Sequence, residues 1–227
     1  MAHESYIVQD TPFGKLFSTG TDPDGNCFYH SYLQAVEDSS YSLYDQADRL
    51  KRVQVIRNYI QDHLTPEDIF ELSDSQSFEN LKKFIDSYLI STKREAVDYN
   101  GSDFSIKGYV KELENKYDGI NKEDGFIKRV QLLIVSYGNQ VAGYFAKDGS
   151  WMNDTFIPIF SKKLQVDIVF ISSRTGAPIK LAIRQNFPAV IIMYHTGEHF
   201  ESMGVDTGTE KIRVFTPESI EKLFGKF

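Results

Sequence analysis

The spacing of the apolar residues changes once along this chain, and that change limits the fold more than any other feature. Between residues 45 and 146 they recur every three or four positions, which predicts helices joined by short polar segments. After residue 150 the runs DIVFISS, IKLAIR and AVIIMYHT are rich in Ile and Val, which predicts strands, and the short RTGAP joint favours an antiparallel hairpin. We therefore expect an α+β fold, with a small sheet from the C-terminal third and an enlarged helical lobe in the middle of the chain.

Local signals place several element ends. Turn formers in TDPDGN precede a helix that we expect from Cys27 to about Glu37. WMNDTFIPIFSKKLQV predicts a helix opened by Trp151, and GKLFSTG predicts a strand or an extended lead-in. Two further helices begin with a Thr N-cap followed by Pro at the first helical position, in Thr65–Pro66 and Thr216–Pro217.

The length and the net charge of the chain narrow the classes of function that it can have. The 227 residues suit one domain, 1–227, with the helical lobe at about 45–146 inserted between the first helix and the sheet. A net charge of −7 without any basic run argues against nucleic acid as a partner. No apolar run approaches the roughly 18 residues that span a bilayer, and MAHESYIVQD lacks a secretory pattern. We expect a cytoplasmic monomer without a membrane span.

The chain contains one cysteine, Cys27, so it cannot form an internal disulfide and a reducing compartment is expected. A thiol attacks as its thiolate, which a helix N-terminus and an imidazolium both favour. Gly25 allows the N–H groups of Gly25, Asn26 and Cys27 to turn inward as an oxyanion hole, and Asp24 can brace this loop. The alternative is a plain turn followed by a small buried cysteine, and the residues alone leave both open.

Two histidines lie in MYHTGEHFESM, where a buried strand ends and the chain re-enters the sheet. His199 is the better candidate for a general base, because Glu201 follows it on the same face and can orient its ring. His195 fits a supporting role at the turn, and a structural role is the alternative for both. No Cys-x-x-Cys, His-Glu-x-x-His or P-loop pattern occurs, so we expect no metal and no cofactor.

DPDGNCFYHSYLQAV together with YHTGEHFESM resembles the ovarian-tumour (OTU) family of cysteine deubiquitinases. The first motif is similar to the family's Asp-Gly-Asn-Cys nucleophile motif, and the second to its late histidine motif. WMNDTFIPIFSKKLQVDIVFI is similar to the family's Trp-initiated helix and following strand. The resemblance covers roughly residues 15–37 and 150–203, and it implies a papain-like fold with a small central sheet between helices.

The resemblance also implies roles at the site. It implies that Cys27 is the nucleophile, that His199 is the general base, and that Asp24 shapes or charges the oxyanion site. The family carries Asn or Asp two residues after the histidine, where this chain has Glu201. The third catalytic role therefore falls to either Asp24 or Glu201.

The implied activity is hydrolysis of the isopeptide bond at the C-terminal glycine of ubiquitin, in chains or conjugates, without a cofactor. Trp151, Glu198 and Phe200 are expected to line the path of the ubiquitin tail, and the helical lobe to hold ubiquitin. The alternative is a catalytically inactive ubiquitin-binding module on the same fold. A eukaryotic enzyme, a viral protein and a bacterial effector in the host cytoplasm all fit this chemistry.

Overall fold

A computed structural model of the chain describes residues 5–37, 39–71, 138, 140–172, 178–183 and 185–225. The helices predicted between residues 78 and 137 lie outside this range. The chain forms two compact units, one from Met1–Ile60 with Lys147–Phe227 and the other from Gln61–Ala146. The predicted lobe began near residue 45, whereas the second unit begins at Gln61. That the two units act as a single domain stays a prediction.

The first unit contains an eight-stranded sheet, and its fold class is α+β as predicted. The central order is β1-β2-β6-β5-β3-β4, with β7 on β6 and β8 on β5. The strands are β1 Ser5–Thr11, β2 Gly14–Thr19, β3 Val166–Ser172, β4 Pro178–Ile183, β5 Ala189–His195, β6 Phe200–Asp206, β7 Lys211–Ile212 and β8 Val214–Phe215.

Two details of the sheet differ from the prediction. The sheet does not come from the C-terminal third alone, because the hairpin β1–β2 joins it through antiparallel pairing of β2 with β6. The run IRVF, whose residues predict one last strand, instead contributes to two short strands that pair with different neighbours, because the chain crosses from β6 to β5 at Arg213. The hairpin predicted from RTGAP is confirmed by the antiparallel pairing of β3 with β4.

The described helices are α1 Cys27–Glu37, α2 Ser39–Leu43, α3 Gln46–Asp62, α4 Pro66–Glu71, α5 Ile157–Leu164 and α6 Pro217–Phe224, and residues 140–146 are also helical. The predicted bounds of α1 are confirmed. The caps at Thr65 and Thr216 are confirmed too, since each hydroxyl accepts a backbone N–H of its helix. Trp151 does not open α5; a 3₁₀ turn at Asp154–Phe156 intervenes. None of the described helices is long and apolar enough to cross a bilayer.

Helices cover both faces of the sheet. Alternate residues of β3 point to opposite faces, so Val169 and Ile171 join the cluster that includes Ile220 of α6. On the other face Phe28 of α1 packs edge to face against Phe160 of α5, with ring centroids 4.8 Å apart. This packing fixes the start of α1, and with it Cys27, against the sheet.

Candidate active site

The loop before α1 is closed by its own polar groups. The Asn26 N–H donates to Asp24 Oδ1 at 2.8 Å, and the Asn26 carbonyl accepts the His30 N–H at 2.9 Å as the first bond of the helix. The Cys27 N–H lies 3.3 Å from the Asp24 carbonyl, a weak turn bond. The loop therefore presents Cys27 at the first turn of α1, where the peptide dipoles favour a negative charge.

Close packing explains the glycine in this loop. A Cβ on Gly25 would collide with the carbonyl oxygen of Gly149. Only glycine lets the loop approach residues 148–150 this closely. The role of Gly25 is therefore tied to the neighbouring backbone as well as to the turn.

Asn26 is buried, and its side chain joins the same two segments. Its Nδ2 donates to Asp148 Oδ1 at 2.9 Å, and its Oδ1 accepts the Gly149 N–H at 3.3 Å and the guanidinium of Arg57. Its backbone N–H is occupied by Asp24. Of the three N–H groups predicted to form an oxyanion hole, that of Asn26 is thus held by a carboxylate, whereas that of Cys27 is held only by the turn bond at 3.3 Å.

The carboxylate of Asp24 has a partner that the sequence did not identify. His30 is buried, its Nε2 lies 3.3 Å from Asp24 Oδ2, and its Nδ1 bonds the Tyr41 hydroxyl. Burial raises the pKa of Asp24, but the hydrogen bond and charge of His30 and the bond from Asn26 outweigh it, and the net shift is downward. Asp24 is thus a stable carboxylate at neutral pH. The spacing of Cys27 and His30 placed them on one helix, but no local signal named Asp24 as the partner of His30.

The turn between β5 and β6 positions His199. The Thr196 N–H donates to the His199 carbonyl at 3.0 Å, and Gly197 takes a φ of +100° that favours glycine. His199 lies just before β6 rather than in it, since the strand begins at Phe200. The turn thereby places the imidazole at the end of the paired strands β5 and β6.

Thr21 is the hydrogen-bond partner of the His199 ring, and sequence reasoning missed it. Its Oγ1 donates to the Phe200 carbonyl at 2.7 Å and lies 3.1 Å from His199 Nε2. Because a hydroxyl has one hydrogen, Thr21 accepts from Nε2, which then carries the ring proton. The neutral imidazole is left with Nδ1 as its proton acceptor.

Glu201 is tied to the N-terminal hairpin. Its Oε2 accepts hydrogen bonds from the Tyr6 hydroxyl and from Ser18 Oγ, each at 2.6 Å. Burial and this carboxylate raise the pKa of Tyr6 to about 12. Glu201 acts on His199 through its charge, which raises the pKa of the imidazole. The two carboxylates therefore bond to different parts of the site: Asp24 to the loop before α1, and Glu201 to the hairpin β1–β2.

Burial shifts the pKa of both the Cys27 thiol and the His199 imidazole. Cys27 is 2% exposed, and burial raises the pKa of its thiol, while backbone hydrogen bonding at Phe200 and Phe28 lowers it in part. The start of α1 also packs on the start of β6, where the rings of Phe28 and Phe200, the residues after Cys27 and His199, meet edge to face at 5.2 Å. Burial also lowers the pKa of His199, which the charges of Glu201 and Asp24 offset only in part. Both shifts favour a neutral thiol and a neutral imidazole in the resting protein.

The three residues predicted to bind the substrate differ in their exposure to solvent. Trp151 is 54% exposed, and Glu198 is exposed in the β5–β6 turn. Phe200 is buried, stacked on His195 at 4.5 Å and edge to face with Phe28 at 5.2 Å. Its ring and that of His195 nevertheless line a pocket of about 210 Å³, together with Asp154, Ile157, Pro158, Phe170 and Ile183. Within the described ranges, no group of three or more His, Cys, Asp or Glu side chains is arranged to hold a metal ion.

Comparison with known proteins gives similarity in structure but not in sequence. No protein-family model and no curated protein matches the chain. An OTU domain solved in complex with ubiquitin is similar at 13% identity and a TM-score of 0.46, over 95% of this chain and 85% of that one. The OTU domain protease of Dera Ghazi Khan virus is similar at 11% identity and a TM-score of 0.38, over 89% and 86%.

A third similar structure is ceOTUB1 in a ubiquitin aldehyde and UBC13~Ub complex, at 16% identity and a TM-score of 0.34, over 84% of this chain and 79% of that one. These structures carry the name of the family whose two motifs the sequence resembles.

Proposed function

We propose that this protein is a cysteine deubiquitinase, a thiol-dependent hydrolase of the isopeptide bond at the C-terminal glycine of ubiquitin. The observation that carries the proposal is the packing of Phe28 on Phe200, which sets the preceding residues, Cys27 and His199, on adjoining elements of a chain whose two motifs resemble the OTU family. Thr21 fixes the imidazole so that Nδ1 accepts a proton. A buried thiol, an oriented base and nearby backbone N–H groups are the parts that acyl transfer needs.

The reaction begins when Nδ1 of His199 takes the proton of the Cys27 thiol. The thiolate attacks the glycine carbonyl, and the N–H groups of Cys27 and Gly25 stabilise the oxyanion that forms. The C–N bond then breaks, and the lysine amine leaves with the proton from His199. Water, deprotonated by His199, attacks the thioester and releases the ubiquitin carboxylate, which restores the thiol. No step of this sequence calls for a metal or a cofactor.

The two carboxylates take separate roles in this proposal. Asp24 holds the oxyanion loop through Asn26 and places a negative charge near the base. Glu201 raises the pKa of His199 from the sheet side, which stabilises the imidazolium that forms during the reaction. Loss of either charge therefore lowers the pKa of His199, and loss of Asp24 also disturbs the geometry of the loop.

The partner is ubiquitin or a polyubiquitin chain. Exposed Trp151 and Glu198 are suited to an extended, arginine-bearing tail, because an indole stacks on guanidinium groups and a carboxylate pairs with them. The helical lobe is proposed to hold the body of ubiquitin. We place the protein as a monomer in the cytoplasm, or in the host cytoplasm for a viral protein or an effector, because a reducing compartment keeps Cys27 as a thiol.

Hydrolysis of a panel of differently linked diubiquitins tests this proposal. We expect the protein to cleave at least one linkage, and Cys27→Ala to abolish cleavage while still binding ubiquitin. Binding without cleavage of any linkage would support the inactive module instead. Absence of both binding and cleavage would overturn the ubiquitin assignment.

A further inference from the structure

We propose that Arg57 of α3 is a positioning residue for the proposed hydrolysis, fixing the oxyanion loop and the segment before Trp151 in one geometry. The inference rests on the proposed function and adds a residue that is neither in the two motifs nor near them in sequence. Arg57 is 0% exposed, so its charge is removed from water and must be met by protein groups.

The guanidinium contacts both segments at once. Its Nε and Nη2 donate to Asn26 Oδ1 at 3.1 and 2.7 Å, and Nη2 also donates to the Ser150 carbonyl at 2.7 Å. The Tyr29 ring lies against the guanidinium, 4.0 Å from its central carbon. The planar fork of arginine supplies this set of donors with its plane against the ring, which a lysine ammonium does not reproduce.

The position of the Arg57 guanidinium affects the reacting groups through Asn26. Its side chain is held by Arg57, Asp148 and Gly149, and its backbone carbonyl forms the first hydrogen bond of α1. Cys27 is the next residue in the chain. A displacement of Asn26 therefore moves the Cys27 N–H, one of the two proposed oxyanion donors.

The same guanidinium also contacts the segment before Trp151, on the proposed substrate side of the site. Ser150, whose carbonyl it holds, directly precedes Trp151, the only tryptophan of the chain. Gly25 and Gly149 pack too closely for a side chain between them, so the backbones of the two segments are in direct contact. Trp151 fluorescence therefore reports on this arrangement without any need for catalytic activity.

Arg57→Lys tests the inference, with Arg213→Lys as a matched control. Arg213 is also a buried arginine, stacked over an aromatic ring at 4.7 Å and bonded to the hydroxyls of Thr19 and Ser202. The measurements are kcat and KM on a fluorogenic ubiquitin C-terminal amide, Cys27 alkylation by iodoacetamide, acrylamide quenching of Trp151, and the thermal midpoint.

For Arg57→Lys we expect kcat to fall about tenfold to a hundredfold, because the oxyanion donors are misplaced. The alkylation rate should stay within about twofold, since alkylation of Cys27 does not need the oxyanion hole. Quenching of Trp151 should increase. Arg213→Lys should change the thermal midpoint but neither kcat nor quenching.

An unchanged kcat in folded Arg57→Lys, or an equal loss in Arg213→Lys, would overturn the positioning role. If Arg57→Lys does not fold, the exposed Asp148→Ala removes another tie to Asn26, and unchanged quenching and kcat there would overturn the inference. If the wild type cleaves no ubiquitin substrate, the proposed function fails, while the quenching comparison still decides whether Arg57 holds the two segments.

Discussion

The Cys27 side of the candidate site and its His199 side are held by different kinds of contact. Around Cys27 the contacts involve ionisable side chains, with Asp24 on His30, Arg57 on Asn26, and Arg49 on Asp22 at 2.9 Å. On the histidine side the ties to His199 and Glu201 come from the hydroxyls of Thr21, Ser18 and Tyr6 on or after the N-terminal strands.

This difference predicts which substitutions should damage the site most. Removing Asp22 leaves the buried Arg49 charge uncompensated, a loss on the scale of about 3–5 kcal/mol. The neutral hydrogen bonds of Thr21 are each worth about 0.5–1.5 kcal/mol, and the bonds from Tyr6 and Ser18 to the Glu201 carboxylate about 1.5–3 kcal/mol. Changes to the charged contacts on the Cys27 side should therefore damage the site more than changes to the hydroxyls around His199.

The largest expected effect comes from His199, the proposed general base. His199→Gln should lower kcat about 10²- to 10⁴-fold, because no group then takes the thiol proton. His195→Gln, which alters only the ring stacked on Phe200, should lose less than about tenfold. Steady-state kinetics on the ubiquitin amide separates the two. Equal losses would show that the wrong histidine has been assigned as the base.

Asp24→Asn should lower kcat about a hundredfold, the scale of a lost oxyanion or acid–base contribution. The change removes the charge that faces His30 and weakens the bond to the Asn26 N–H. The comparison variant is Glu201→Gln, measured under the same conditions. If Glu201→Gln lost more activity than Asp24→Asn, the third catalytic role would belong to Glu201.

Thr21→Val should lower kcat/KM by about tenfold, since it removes the hydroxyl that fixes the His199 tautomer and satisfies the Phe200 carbonyl. Thr21→Ser keeps the hydroxyl and should restore most of the activity. Full activity in Thr21→Val would contradict the assignment of Nδ1 as the proton acceptor.

The smallest effect is a shift in pH dependence. His199 acts as a base only when neutral, and burial lowers its pKa from 6.5, so the acid limb of kcat/KM should have its midpoint below pH 6.5. The Glu201 charge raises this pKa, so Glu201→Gln should move the midpoint still lower. A pH series on both proteins checks the sign, and a midpoint that rises in Glu201→Gln would contradict it.

The sequence predicted the elements that carry strong local signals. The turn before Cys27, the Thr-Pro caps and the RTGAP hairpin all mark their elements within a few residues. The strand β1 was missed, because most of its residues are exposed and SYIVQDT lacks a buried alternating face. The short pairings at IRVF depend on neighbours in the sheet rather than on the run itself.

The residues of the candidate site also divide into those that the sequence predicts and those that it does not. Cys27 and His199 lie in motifs that can be recognised, whereas Thr21 and Arg57 act through partners far along the chain. Thr21 meets His199 across 178 positions, and Arg57 meets Asn26 across 31. No periodicity or spacing predicts such contacts, because the folded sheet and helices create them.

The central claim is that Cys27 is a nucleophile directed at the C-terminus of ubiquitin. The most direct test is incubation with ubiquitin that carries a thiol-reactive group at its C-terminus, followed by intact-mass measurement and peptide mapping. The predicted result is one ubiquitin added per chain, on Cys27, and no adduct in Cys27→Ala. An adduct that persists in Cys27→Ala, or a wild type that binds this ubiquitin without adduct formation, would contradict the claim.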